Sequence, residues 1–520
     1  MKHIKKLLLA SLLLGAAALG FSGCGKEAAS DTLRVGVTNF ADSLEPTDNY
    51  FGWVVMRYGI GESLVRFDEQ MHTQPCVADS WKVSDDKMTW TFHIRDGIQF
   101  SNGNPVTAEA AKASLERAFK KSDRAKTFFT YTSMEADGQD LIIHTEKPVP
   151  NLPGMLADPL FLIIDTSVKD RDYRKEGPIA TGPYMVKSFS RSHAVLEANP
   201  HYWGGAVPFR HLEVPSIDDP NTRAMSLQSG ETDIIVNVSP GDLELFRDND
   251  QYVISEISSL RSVLARLNVS EGHPLQDKRV REALISACDR QTYADVLLKG
   301  TFIPGGPAVP PSVDCGFDQL KDPNGYNPER AKRLLDEAGW KDTDGDGIRD
   351  KDGKPLELNF IYYSSRSELP TFAEATQADA QKVGIRINLQ SVDYNVLDGM
   401  AKRGEFDLII SNILTANTGD PEIYLNWYWK TNVNGSNPQN GSGYSNAEYD
   451  ALSDQLSEEF DPAKRRELMI RMQQILLDDA ATLIFGYPKT NMVYSSRIAG
   501  AKILPVDYYW ITGDIRPAGK

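Results

Sequence analysis

The sequence predicts an α/β fold built from more than one compact unit. Segments with strand-like alternation and segments with helical spacing succeed one another along most of the chain, as in layered α/β folds. A length of 520 residues exceeds what one core organises and suggests two to four units. No 20–50-residue repeat runs through the chain, which excludes a solenoid. Apolar residues make up 41% and charged residues 25%, a globular rather than a disordered composition. A net charge of −16 argues against nucleic acid and against an anionic membrane surface as partners.

The first element reads as an address. Lys2, Lys5 and Lys6 precede an uncharged run over 7–21 that is rich in Leu, Ala and Gly. That run is short for a membrane span and suits a signal-peptide core. Phe21-Ser22-Gly23-Cys24 resembles a bacterial lipobox, with Cys24 as the thiol that takes the lipid. The expectation is a lipoprotein signal peptide over 1–23 and a lipid-anchored spacer over 24–31. The mature protein is then extracytoplasmic and held to the cell membrane by its lipid. Cleavage before Cys24 removes three lysines and no acid, and takes the net charge from −16 to −19.

Residues 32–38 (TLRVGVT) alternate and predict a strand. Residues 50–64 carry apolar side chains at helical spacing. Residues 90–94 (WTFHI) predict a strand that stops at Arg95-Asp96-Gly97, where Gly97 is free to take positive φ. Thr107 is placed to cap a helix over 107–119. A strand is predicted over 194–198, a glycine-closed helix over 221–230 and a long helical segment over 277–298. Pro328 in its first turn and Gly339 beyond its end bracket a helix over 327–338. Strands over 356–362, 385–389, 406–410 and 481–485 alternate with helices over 371–383 and 463–477. Loops rich in Gly, Pro and Asn lie at 302–312, 320–328 and 431–444.

Residues 75–119 contain Ala78-Asp79-Ser80-Trp81, Asp85-Asp86, Trp90-Thr91-Phe92, Arg95-Asp96-Gly97, Phe100, Gly103 and Pro105 to Ala108. This region strongly resembles the signature of family 5 extracytoplasmic solute-binding proteins, the peptide and nickel receptors of ATP-binding cassette importers. Thr181-Gly182-Pro183-Tyr184, Asn199-Pro200, Gly230-Glu231-Thr232-Asp233, Val280-Arg281-Glu282-Ala283-Leu284 and Ala338-Gly339-Trp340 continue the pattern in order. Each motif is weak alone. Together they cover essentially the whole mature chain. Their physical content is scaffold: Trp81, Trp90 and Phe92 supply large apolar surface to one small core.

The resemblance implies a two-lobed periplasmic-binding-protein-like fold of type II, with three domains (cluster C) and a ligand cleft between lobes. By motif position, lobe I takes 32–70, 184–268 and 486–520. An inserted domain takes 71–183, and lobe II takes 269–485. Hinge closure over the ligand is the expected transport signal, the permease subunits are the expected protein partners, and the receptor is expected to be monomeric. It implies a binding protein and not an enzyme, and the chain holds no G-x-S-x-G, H-E-x-x-H or G-x4-G-K-[ST].

Peptide-binding relatives carry an Asp four residues before a Pro, in a loop after a late strand, to hold the peptide ammonium. The corresponding loop is 411–424 (SNILTANTGDPEIY), where Pro421 places Asn417 in the Asp position. An amide cannot neutralise an ammonium. Asp420 either substitutes or caps the following helix, and Asn412 is a further candidate contact at the loop's start. Nickel-binding relatives hold a metal chelate between arginines and aromatics, and residues 100–111 and 218–224 resemble that branch. Its arginine position falls near Phe161, and its late histidine has no counterpart, since the last histidine is His273. The eight histidines are scattered, so direct metal ligation is not expected. Candidate walls of the cleft are Tyr50, Phe51, Trp53, Arg124, Lys126, Arg261, Arg266, Trp427, Tyr428 and Trp429. Aromatics beside cations suit an anionic or planar ligand, with core packing and solvated charge as the ordinary alternatives.

Two further features stand apart. Asp342, Asp344, Asp346 and Asp350 occupy positions 1, 3, 5 and 9 of an EF-hand-like loop, but position 12 is Gly353. The readings are a weak structural Ca²⁺ site or an exposed acidic turn, and no other cofactor is expected. Cys288 and Cys315 are close enough in sequence for a disulfide, the alternative being three buried thiols with Cys76. The function expected is capture of oligopeptide or dipeptide for import, then of a nickel chelate, then solute sensing on the same scaffold.

Overall fold

The computed structural model describes residues 31–38, 42–364, 366 and 368–519, with Tyr394 and Asn395 by backbone only. The expected signal peptide and Cys24 lie outside the described residues. Among the described residues no helix is long and apolar enough to cross a membrane.

The alternation of the sequence becomes one mixed sheet of 12 strands with two halves. In the first half, Thr32–Gly36 runs parallel to both His211–Pro215 and Ile234–Val236. The hairpin Tyr184–Ser190 and His193–Ala198 extends that edge. In the second half, Glu357–Tyr362 runs parallel to Arg386–Ser391 and Leu408–Leu414. The long strand Thr482–Ser495 joins the halves. It pairs with Arg261–Leu267 up to Gly486, and with Tyr252–Ser258 from Lys489 onward. The strand changes partners between Gly486 and Lys489.

The expected division at 485–486 lies next to this change of partners, within one continuous strand. Another expected assignment is corrected by the pairing. Arg261–Leu267, expected in lobe I, pairs with Leu408–Leu414 and packs Val263, Ala265 and Leu267 into the core of lobe II.

The inserted domain is a separate antiparallel sheet of four strands, ordered Ala78–Val83, Thr89–Ile94, Asp140–Thr145, Tyr131–Asp137. Trp90, Phe92 and Ile94 alternate inward, as the period of two dictates. Helix Ala108–Lys121 packs on the sheet, and Thr107 Oγ1 accepts from the Ala110 N–H at 3.2 Å.

Two helices differ from expectation. The segment over 50–64 keeps only Gly52–Arg57, because the chain turns at Gly59 with φ of 68°. The segment over 277–298 stops at Ala287, where Cys288 is extended and Asp289 caps a new short turn. The disulfide expectation is also corrected: Cys76, Cys288 and Cys315 are all free and buried. Cys288 lies in the core that holds Val263 and Ala265, while Cys315 lies in the core that holds Leu264. Neighbouring side chains of a strand point to opposite faces, so the sheet separates the two thiols.

Candidate functional site

The site is built where three parts of the chain meet. The first is the helix Gly52–Arg57, which lies on the backbone of the inserted domain. Only glycine fits at 52, because a Cβ there would stand 2.4 Å from the Pro159 carbonyl oxygen. The helix ends in Arg57, whose Nε donates to the Asp507 carbonyl at 2.7 Å and whose Nη2 donates to the Asp507 carboxylate at 2.5 Å. Its guanidinium lies 4.2 Å from the ring centre of Trp510 and 5.4 Å from that of Trp53. Charge-assisted contacts of this kind fix orientation as well as position. Trp53, 8% exposed, packs in turn on Tyr508 at 5.5 Å.

The second part is the inserted domain. Arg124 places Nη2 3.3 Å from Asp158 Oδ1 and lays its guanidinium 4.7 Å from the Tyr50 ring centre. Asp158 is fully buried, which is costly for a carboxylate without partners. It has three: Arg124, the Leu160 N–H at 2.9 Å, and the Asn417 amide at 3.3 Å. Among the described residues, Arg124 Nε and the Tyr508 hydroxyl are buried with no hydrogen-bond partner. Burial pushes the Tyr508 phenol well above its usual range, and the Asp158 and Asp507 carboxylates push it further.

The third part is lobe II. Arg261 Nη1 approaches the Asn412 side-chain oxygen at 3.3 Å, and Asn412 Nδ2 donates to Glu368 at 2.8 Å. Burial lowers the Arg261 pKa, and the neighbouring Arg366 cation lowers it again, while Asp507 opposes them. Among the described residues no carboxylate lies within ion-pair distance of Arg261. The Arg57 cation lowers the Arg261 pKa slightly as well.

The structure joins Tyr50 to Trp53 at 5.5 Å and to Arg124 at 4.7 Å, brings Arg124 and Asn417 to Asp158, and pairs Arg261 with Asn412 in lobe II, with Phe51 partly buried. It sends others elsewhere. Asp420 accepts the Glu422 N–H at 2.8 Å, as a helix cap would, and pairs with Arg465 at 2.8 Å, so its carboxylate is engaged inside lobe II. Trp429 is core, 1% exposed, and Trp427 is 43% exposed on the same helix. Arg266 shares a strand with Arg261 but points to the opposite face, where it donates to the Gln439 carbonyl at 3.2 Å and lies over Tyr428. Lys126 is exposed and pairs with Asp123 at 2.8 Å. In the acidic loop, Asp342, Asp344 and Asp350 bring oxygens within 4.8 Å of one another, whereas Asp346 pairs with Arg386 at 3.0 Å.

Sequence reasoning missed Arg57, Asp158, Asp507, Tyr508 and Arg366. The run Asp507-Tyr508-Tyr509-Trp510 was the available signal, an acid with three aromatics in a short tail. Asp158 carried none, because its partners come from elements up to 259 residues away.

Residues 72–436 match the family described as bacterial extracellular solute-binding proteins, family 5 Middle. The chain is 29% identical over 500 residues to the nickel-binding protein NikA of Staphylococcus aureus, covering 95% of this chain and 96% of that one. It is 27% identical over 440 residues to the probable D,D-dipeptide-binding periplasmic protein DdpA of Escherichia coli, covering 83% and 82%. Its fold superposes on the crystal structure of a nickel ABC transporter protein from Bacillus halodurans with a TM-score of 0.81 and 27% identity, over 93% of this chain and 99% of that one. Both expected ligand classes therefore occur among similar proteins, and the two-lobed fold is that of the solved relatives. The chain belongs to the bacterial extracellular solute-binding proteins of family 5.

Proposed function

We propose that this chain is the substrate receptor of an ATP-binding cassette importer, lipid-anchored through Cys24 outside the cytoplasm, and that it binds its solute without transforming it. The solute is small and bears carboxylates, and a metal chelate fits better than a peptide with a free amine. One observation carries this reading: Arg124 and Arg261 bring donor capacity to the cleft, while Asn417 and Asp420 offer no free carboxylate there. A chelate brings its own metal ligands, so the absence of paired histidines is no obstacle. The nickel-binding relatives support the same choice.

A peptide is the second reading, favoured by Asp158. Its carboxylate sits beside Asn417 and would meet an ammonium if the amide moved aside. Native mass spectrometry of residues 25–520, purified from rich medium, separates the two. A single small adduct with a nickel isotope pattern supports the chelate, and a ladder of peptide masses supports the second reading. An empty protein with no thermal shift from Ni²⁺ with L-histidine, or from mixed peptides, would overturn both.

A further inference from the structure

One side chain of lobe II connects two places, among the described residues, where that lobe touches the inserted domain. The first place is the turn between helices Ala447–Glu458 and Pro462–Asp478. Phe460 at that turn stacks on Trp90 with ring centres 6.2 Å apart and planes 27° apart. Lys87 holds its ammonium 5.2 Å from the same ring. Lys87 and Trp90 belong to one hairpin of the inserted domain, and Trp90 stacks in turn on Phe92 at 6.1 Å. A ring from lobe II thus extends an aromatic column of the inserted domain.

The second place is the loop after Leu408–Leu414. Asn151 Nδ2 donates to the Thr418 carbonyl at 3.0 Å and approaches its hydroxyl at 3.2 Å. Two glycines permit this approach. A Cβ on Gly154 would stand 2.1 Å from the Thr418 carbonyl oxygen. Gly419 has φ of 75°, and a Cβ there would stand 2.8 Å from the Met71 carbonyl oxygen.

Arg465 joins the two places. Its Nη1 donates to the carbonyls of Leu456 at 2.6 Å and Glu459 at 3.0 Å, just before Phe460. Its Nε and Nη2 donate to Asp420 at 3.0 and 2.8 Å, two residues after Thr418. The guanidinium is 7% exposed and planar, with every bond in a fixed direction, so turn and loop behave as one body.

We propose that Phe460 and Thr418 are the two contact points of one rigid clasp, braced by Arg465, that closes lobe II on the inserted domain. They are positioning residues: they touch no ligand, and they set how long the cleft stays shut over one. The inserted domain thereby acquires a role in retention, as the surface on which the clasp seats. This goes beyond the choice of ligand and does not depend on it.

The test is an interlobe distance. Spin labels on Lys120→Cys and Gln455→Cys, both exposed, report it in residues 25–520, whose native thiols are buried. Distances are measured with and without Ni²⁺ plus L-histidine. The wild type is expected to hold a short-distance population. Phe460→Ala and Gly154→Ala should each lower the ratio of short to long distances about tenfold, while Phe460→Tyr keeps it and unfolding midpoints stay close to wild type. Unchanged distances in both alanine variants would overturn the clasp. So would a wild type with no short population under either condition.

Discussion

The Asn417 side-chain amide donates to the Asp158 carboxylate at 3.3 Å, joining lobe II to the inserted domain. The other oxygen of Asp158 serves Arg124 and the Leu160 N–H. A neutral amide is what this position tolerates, because the carboxylate it meets is fully buried.

Asn417→Asp should therefore weaken binding in a pH-dependent way. Two carboxylates sharing one buried site cannot both ionise, so one of them takes a raised pKa. Titration calorimetry with Ni²⁺ and L-histidine should show a loss of about tenfold or more at pH 8, recovering toward wild type as the pH falls to 5. The same loss at every pH would mean that residue 417 does not face Asp158 in solution.

Arg261 gives a sharper test of an anionic ligand. Its cation is desolvated with no carboxylate in contact among the described residues, so a ligand's charge is its natural partner. Arg261→Gln should cost about 10- to 100-fold in affinity for a carboxylate-bearing chelate, the range for hydrogen bonds to charged groups. Lys126→Gln should leave affinity unchanged, since that ammonium is exposed and paired with Asp123. Equal effects of the two substitutions on the measured Kd would remove Arg261 from the site.

The scaffold was legible because local chemistry decides it. Thr107 caps its helix, Gly230 closes its helix at φ of 79°, and Trp90-Thr91-Phe92 alternates inward as written. The site was legible only in part, because its partners are non-local. Arg261 and Arg266 look equivalent in sequence, yet the period of a strand turns them to opposite faces. Asp420 was open between a ligand contact and a helix cap until Arg465, 45 residues on, engaged it. Trp429 and Trp427 share one short helix, and only packing decides that the first is core.

The inserted domain is tied to lobe I by Arg117 and Glu45. Nη1 meets Oε1 at 2.9 Å and Nη2 meets Oε2 at 2.5 Å, with the guanidinium 4.5 Å from the Tyr173 ring centre. Burial raises the Glu45 pKa, but hydrogen bonds from Arg117 and Thr47 outweigh it and the net shift is downward from 4.5. A carboxyl lowered in the fold contributes stability that is present above its unfolded pKa and lost as pH falls through its folded one. Glu45→Gln should thus unfold at a lower temperature than wild type at neutral pH. The gap should narrow as the pH drops below 4.5, read by calorimetric melts across pH 7 to 3. A gap independent of pH would show that the loss is one of packing.

The three described cysteines make a simple check on the interior. Burial pushes the Cys288 thiol up to about 12 and raises Cys76 and Cys315 as well. A buried neutral thiol does not react at pH 8. A thiol reagent should therefore titrate none of the three in native residues 25–520 and all three in denaturant, and a reductant should leave the melting temperature unchanged.

Arg465 bears the largest single stability prediction. It neutralises Asp420 and Glu422 together, each at 2.8 Å, in a position 7% exposed. Arg465→Met keeps much of the volume but leaves two carboxylates facing each other without a cation, a change worth about 3–5 kcal/mol. Burial already raises the Glu422 pKa, with the Asp420 charge adding to it and Arg465 opposing. A carboxyl raised in the fold binds its proton more tightly there, so its contribution to stability grows as the pH falls through the folded pKa toward 4.5. Removing the cation enlarges that rise. The deficit of Arg465→Met in urea unfolding should accordingly be greatest at pH 8 and smaller at pH 5. A deficit that does not change with pH would mean that the Leu456 and Glu459 carbonyls, and not the two acids, are what Arg465 chiefly holds.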